Sequence, residues 1–442
     1  MSISRRDLLK TGAGLAIGVA GAGLLGANPA RAQAPTLKYE PEKGAQLRLL
    51  RWSKFVQGDE DLWNANTKKF TEATGVPVRI DNESWEDVRP KAAVAANVGS
   101  GPDIILGWFD DPQQYPDKLT DLSELADYLG KKYGGWYPVA QRYGTHEGRW
   151  IGLPLGAAGA CIVYRKSWLQ EAGFEEMPRK YDEFLKAAKA LKQKGRPIGM
   201  ALGHAVGDAN SWLHTVLWGF GGKMVDDNNK VVLSSPETIQ ALEYVKELYA
   251  TFVPGTLSWL DPSNNKAFLA GDIGATNNGI SVYYAAKTSK DPAQQKLADD
   301  IQHVNLPIGP TGRPSELHLF TQAMLFKYSK YPNAAKEYLR FMWEQDQYVP
   351  WQKAALGYIT QPLAAYEQNP VWTEDPKATP FRDTVKNMLW NGYSGKLGPA
   401  SAAAMADYIV VDMFAEVCQG DRAPKDAADR ASKRAERIYR SA

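Results

Sequence analysis

Residues able to orient a small ligand recur at five places in this chain, four of them beside tryptophan. They are Trp52-Ser53, Asn82 to Trp85, Trp108-Phe109-Asp110, Asp208-Ala209-Asn210-Ser211-Trp212 and Asn277-Asn278. An aromatic plane covers the apolar C–H face of a sugar ring. Carboxylates and amides exchange hydrogen bonds with hydroxyls in the ring plane. The mixture suits a neutral polyhydroxylated ligand better than a phosphate, which calls for a glycine-rich nest or an arginine cluster. Asp110 and Asn278 each end an otherwise apolar strand, which favours a ligand role. Trp52, Trp108, Trp212 and Trp259 serve either as ligand floors or as packing. Trp63 and Trp168 sit inside helical patterns and read as packing, Trp136 and Trp150 as wedges between loops.

Patterns for bond chemistry fail on context. Gly21-Ala22-Gly23-Leu24-Leu25-Gly26 has the letters of a dinucleotide loop but no preceding strand. Lys10-Thr11-Gly12 and Ser263-Asn264-Asn265-Lys266 resemble two β-lactamase boxes, without the Ser-Asp-Asn that should accompany them. The five histidines, His146, His204, His214, His303 and His318, show none of the spacings of a metal helix or strand. Cys161 and Cys418 read as free thiols rather than a disulfide. The pairs Asp110-Asp111 and Asp226-Asp227 are adjacent, which does not establish the opposed carboxylates of a glycosidase. No catalytic residue, metal ligand or cofactor is therefore expected.

The elements that must position these residues alternate. Leu47–Trp52, Val76–Ile80 and Asp103–Trp108 read as strands. Helices follow the first two: Glu60 to Thr74, ended by Gly75, and Trp85 to Val98, ended by Gly99. This order implies right-handed crossovers in a doubly wound α/β sheet, whose ligands settle at the carboxyl ends of strands. Further pieces include Cys161–Arg165, helices at Tyr181–Lys194 and Trp212–Phe220, a hairpin at Met224–Leu233, and a helix from Pro236 to about Phe252. The last forty residues are amphipathic helix. With 442 residues and no repeat or long linker, two lobes woven together by several crossings are expected.

Residues 1–32 read as an address. Arg5-Arg6-Asp7-Leu8-Leu9-Lys10 precedes a weakly apolar run, and Ala30-Arg31-Ala32 provides a cleavage site. This pattern resembles a twin-arginine signal, so the twin-arginine export machinery is an expected partner. The cleavage site has no cysteine to carry a lipid, so a freely diffusing periplasmic protein is expected. The full chain carries +2. Losing Arg5, Arg6, Lys10 and Arg31 with only Asp7 leaves about −1, so no field for nucleic acid exists.

Several ordered segments resemble one family. These are Phe70-Thr71-Glu72-Ala73-Thr74-Gly75-Val76-Pro77-Val78, Gly101-Pro102-Asp103-Ile104-Ile105, and Trp150-Ile151-Gly152-Leu153-Pro154 with Val163-Tyr164-Arg165-Lys166. Ala267-Phe268-Leu269-Ala270-Gly271-Asp272 running on to Gly279, and Asn333 to Phe341, complete the set. In order and spacing the chain resembles extracellular solute-binding proteins of ABC importers, in the sugar-binding group that includes maltose-binding protein. The resemblance implies a type II periplasmic-binding-protein fold with an interlobe cleft. Residues 36–156 and 309–361 would form lobe 1, and residues 157–308 and 362–442 lobe 2. Crossings are expected near Leu155–Ala160, Asn305–Pro310 and Tyr358–Leu363. By matching position it places ligand contacts at Trp52-Ser53, Asp110, Asp208/Asn210/Trp212 and Asn277-Asn278, and adds Glu316, His318 and Tyr358. It implies a monomer that binds a carbohydrate or polyol and engages membrane permease subunits. An exported carbohydrate-active enzyme and a receptor for a metal chelate or glycerophosphodiester are the alternatives. The chain departs from maltose-binding protein in having no acidic residue between Pro154 and Tyr164, and no aromatic directly after Asn278-Gly279.

Overall fold

The computed structural model describes residues 37–441; the twin-arginine signal expected in residues 1–32 lies outside them. Ten strands occur among the described residues. They are β1 (Leu47–Trp52), β2 (Val78–Glu83), β3 (Ile104–Trp108), β4 (Thr145–His146), β5 (Arg149–Trp150), β6 (Leu153–Ala158), β7 (Cys161–Arg165), β8 (Ala275–Asn278), β9 (Ile301–Val304) and β10 (Leu319–Leu325). One sheet has the order β2-β1-β3-β10-β6, a second β8-β7-β9, and β4-β5 form a small ribbon.

The first sheet begins as the sequence predicts. β1 runs parallel to β2 and β3, with Leu49 paired to both Ile80 and Ile104. All five residues of β3 are buried, as a strand covered on both faces requires. Helices Gln57–Thr74 and Trp85–Val98 make the crossovers, and left-handed Gly75 and Gly99 stop them. The parallel pattern then ends. β10 joins β3 and β6 antiparallel, and the second sheet is antiparallel throughout. The expected doubly wound parallel sheet is thus confined to β1–β3, because β10 re-enters from the second lobe rather than through a crossover helix. The Met224–Leu233 hairpin is reduced to a single bridge between Val225 and Val231. Asp226 caps that turn by accepting from the amides of Asn228 and Lys230.

Three chain passages join the two sheets side by side. Gly159-Ala160 link β6 to β7. The second passage enters at Glu316–Leu319, where Leu319 pairs with Ala158. The third is pinned by reciprocal hydrogen bonds between Ala157 and Thr360, 3.2 and 2.7 Å. Here Gly156 is left-handed at φ 140°, and a β-carbon on it would lie 1.9 Å from the Thr360 oxygen. The passage expected at Asn305–Pro310 lies later in the chain. Ile308 still bridges Lys180, and the Thr311 amide donates to Gly219 O. Helices Ile409–Gln419 and Pro424–Ser441 pack on helices Asp208–Gly219 and Pro236–Tyr249. Cys161 and Cys418 are free thiols. Among the described residues, no helix is long and apolar enough to cross a membrane.

Candidate functional site

The carboxyl end of β1 builds one wall from inside outwards. Asp59, in the first turn of helix Gln57–Thr74, is fully buried. It accepts from Trp52 Nε1 at 3.0 Å and Trp351 Nε1 at 2.8 Å, and pairs with the Arg51 guanidinium. Arg51 also lies 4.6 Å from the ring centre of Trp52 and 4.7 Å from that of Trp63. Trp52 is thereby fixed as the back of a stack. Trp108 packs on it at 5.4 Å, and Trp85 stacks on Trp108 at 4.7 Å, where the Trp108 indole donates to Trp85 O. Phe55 meets Trp85 edge-on and lies nearly parallel to Tyr358.

Trp85, Phe55 and Tyr358 face a narrow cavity of about 30 Å³ between the two sheets. The side of the second sheet closes it with Asp208 and Ser211 at the start of one helix, Asp261 at the start of another, Asn278 at the end of β8, and Gly279 and Ser281 just beyond it. Ala158, Ala160 and Leu319 from the passages form its floor. The lobes touch beside it, where the Gly58 amide donates to the Tyr284 hydroxyl at 2.8 Å.

Asp261 Oδ1 accepts from the amides of Gly207 and Asp208, at 3.0 and 2.8 Å. Asp208 Oδ2 accepts from Asn264 Nδ2 at 2.6 Å. Burial pushes both carboxyls upward. The Asp261 charge adds to the rise at Asp208, whereas the backbone amides partly offset it at Asp261. Burial, then the charges of Asp59, Asp261 and Asp208, raises the Tyr358 phenol. Asn278 Oδ1 accepts from the Gly279 amide, and its Nδ2 donates to Asn265 Oδ1.

Of the residues expected to meet ligand, the structure brings Trp85, Asp208, Asn278 and Tyr358 together on the cavity. The others lie elsewhere, each for a visible reason. Trp52 and Trp108 are hidden behind Trp85, at 1% and 0% exposure. Ser53 is exposed, its amide tied to Glu83 O, and Phe55 from the same loop reaches the cavity instead. Trp212 turns into lobe 2 and donates to Ala201 O at 2.7 Å. Trp259 covers Gly199, where a β-carbon would approach its ring to 2.7 Å. Asn210 donates one turn back along its helix to Val206 O. Asn277 faces the interior of lobe 2 beside Ile162, Met200 and Trp212.

Asp110 ties the end of β3 to a late helix rather than lining the cavity. Phe109 adopts φ 44°, and the turn delivers Asp110 Oδ2 to Ser401 Oγ at 2.6 Å in the Pro399–Ala406 helix. Among the described residues its Oδ1 meets no hydrogen-bond partner, and burial pushes the carboxyl up to about 7 against the Ser401 hydrogen bond. Neighbouring Asp111 pairs with Arg89 at 2.7 Å. Glu316 and His318 brace the passages. The Ala160 amide donates to His318 Nδ1 at 3.1 Å, which leaves the proton on Nε2 facing Glu316 Oε2 at 2.9 Å. Among the described residues, no cluster of His, Cys, Asp and Glu is arranged to hold a metal ion.

Reasoning from sequence missed Phe55, Ser211, Asp261 and Ser281. Phe55 and Ser211 lie in loops already singled out, and Leu260-Asp261-Pro262 has the composition of a helix start.

Comparison with known proteins adds three findings. The sequence profile of the bacterial extracellular solute-binding proteins matches residues 65–380. The diacetylchitobiose binding protein of Streptomyces coelicolor is 26% identical over 292 residues, 63% of this chain and 65% of the relative. The match thus spans slightly under two thirds of that relative's length. Among solved structures, maltose-bound MalE3 of T. maritima superposes with a TM-score of 0.77 at 18% identity, covering 89% of this chain and all of the other. A ribitol-bound solute-binding protein of Agrobacterium radiobacter gives 0.72 at 18% identity, covering 89% and 99%. At these identities the superpositions establish the two-lobed fold.

Proposed function

The chain belongs to the bacterial extracellular solute-binding proteins, and from that premise we propose that it is the periplasmic receptor of an ABC importer for a sugar, oligosaccharide or polyol. It is exported through the twin-arginine machinery, loses its leader near Ala32 and acts as a soluble monomer without a lipid anchor. Solute enters between the lobes and favours the closed arrangement by touching both, and the permease subunits read that shape. The protein makes and breaks no bond in the solute.

The observation that carries this reading is the composition of the interlobe cavity. Aromatic planes from lobe 1, Trp85, Phe55 and Tyr358, face carboxylate, amide and hydroxyl groups from lobe 2, Asp208, Asn278 and Ser281. That division offers one side of a sugar ring a flat apolar surface and its hydroxyls a set of acceptors and donors. The similar proteins bind diacetylchitobiose, maltose and ribitol, all hydroxyl-rich solutes. Thermal unfolding against monosaccharides, oligosaccharides and polyols tests the reading. A true ligand at a hundred times its Kd stabilises the protein by about 2.7 kcal/mol. A panel that leaves the Tm unmoved overturns it.

A further inference from the structure

The cavity is electrically one-sided. Asp208 and Asp261 enter it from two helix starts, and among the described residues no lysine, arginine or histidine lines it. The nearby cations are already engaged: Arg51 by Asp59, and Arg89 by Asp111. The carboxylates retain acceptor capacity. Asp208 Oδ1 receives no hydrogen bond from any described residue, whereas Oδ2 takes only Asn264. Tyr358, 4% exposed, lines the same cavity with its hydroxyl unpartnered among the described residues. The Trp85 indole N–H is likewise buried without a partner.

Narrowing the ligand of the receptor reading above, on which this inference rests, we propose that the solute carries a protonated amine on its polyhydroxylated frame, seated between Asp208 and Asp261 against Trp85, Phe55 and Tyr358. A neutral polyol satisfies acceptors but brings no counter-charge to the buried Asp261 and the half-buried Asp208, a cost that grows as solute covers them. An ammonium brings three donors and one positive charge. Its hydrogen bonds to carboxylate are charge-assisted, and aromatic faces attract it as well. Burial pushes both carboxyls upward, helped at Asp208 by the Asp261 charge and at Asp261 by the Glu86 charge, and the same cation relieves these costs. The remaining hydroxyls meet Asn278 and Ser281.

Calorimetric titration of matched pairs tests this at neutral pH: glucose against glucosamine, sorbitol against 1-amino-1-deoxysorbitol, and diacetylchitobiose against its fully deacetylated form. The amine of at least one pair is expected to bind about tenfold or more tightly than its neutral counterpart. Asp208→Asn and Asp261→Asn should each erase that advantage. The Tm of free Asp208→Asn should not fall, whereas Asp261→Asn also weakens the acceptor for the Gly207 and Asp208 amides and is judged by its amine-to-neutral affinity ratio. Neutral members binding as tightly as amines, or an advantage that survives both substitutions, would overturn the inference and leave the receptor reading standing. Absence of binding by every member of all three pairs would overturn both.

Discussion

The two walls of the interlobe cavity are built on opposite plans. On the lobe 1 side, polar groups are consumed within the protein. Asp59 gathers Arg51, Trp52 and Trp351, and the indoles of Trp52 and Trp108 stand behind Trp85 as a fixed backing. On the lobe 2 side, short residues at helix starts leave acceptors uncommitted, as at Asp208. One wall supplies a rigid shape, and the other the chemistry that distinguishes solutes. Rigid aromatic surface costs little entropy on binding, whereas buried polar groups left open are what make an imperfect ligand expensive.

The contrast breaks most visibly at Asp59. Asp59→Ala leaves a buried guanidinium without its counter-charge, and urea unfolding should show a loss of about 3–5 kcal/mol. A loss under 1 kcal/mol would mean that the backing is not held by that carboxylate.

A smaller effect is expected at Asp110, a lobe 1 carboxylate absorbed into structure. Its carboxyl is pushed up to about 7 in the folded protein, from an ordinary value of 3.8. The folded state therefore holds a proton that the unfolded chain releases. The associated stability is present below about pH 4 and is lost as pH rises towards 7. Asp110→Asn keeps an acceptor for Ser401 and removes the titration. Its stability relative to the parent should climb across that interval, with the advantage reaching about 4 kcal/mol. A difference independent of pH would refute the assignment.

The smallest effect sharpens the comparison at its seam. Tyr358→Phe keeps the ring against Phe55 and removes a hydroxyl that has no partner among the described residues. Stability should change by under about 0.5 kcal/mol, while solute affinity falls by about 1 kcal/mol. Equal losses in both measurements would place the hydroxyl in the fold rather than in the site.

How much of this was legible in the sequence follows the same division. Strands β1 and β3, the two crossover helices and their glycine stops are local, written in hydrophobic spacing and in Gly75 and Gly99. The loops bearing Trp85, Asp208 and Asn278 were legible because strand ends and helix starts announce themselves. Which tryptophan faces the cavity was not. Trp52 and Trp108 stand at the ends of neighbouring strands with the composition of a ligand floor, but a helix start from elsewhere lays Trp85 over them. Asp110 looked like a ligand residue because an apolar strand stops there. Its actual partner, Ser401, arrives from the far end of the chain, beyond the reach of any local pattern. The antiparallel entry of β10 escaped for the same reason.

The position of β10 bears on how the protein is made. In the first sheet it lies between β3 and β6, yet it is translated long after both. At usual elongation rates the gap stays open for roughly 10–30 s while the second lobe emerges. During that interval β3 and β6 each present an unpaired edge, a template for mispairing with another chain. Any chain ended before Leu325 lacks that strand in whole or in part, so an amino-terminal half made alone should expose the β3 and β6 edges and aggregate.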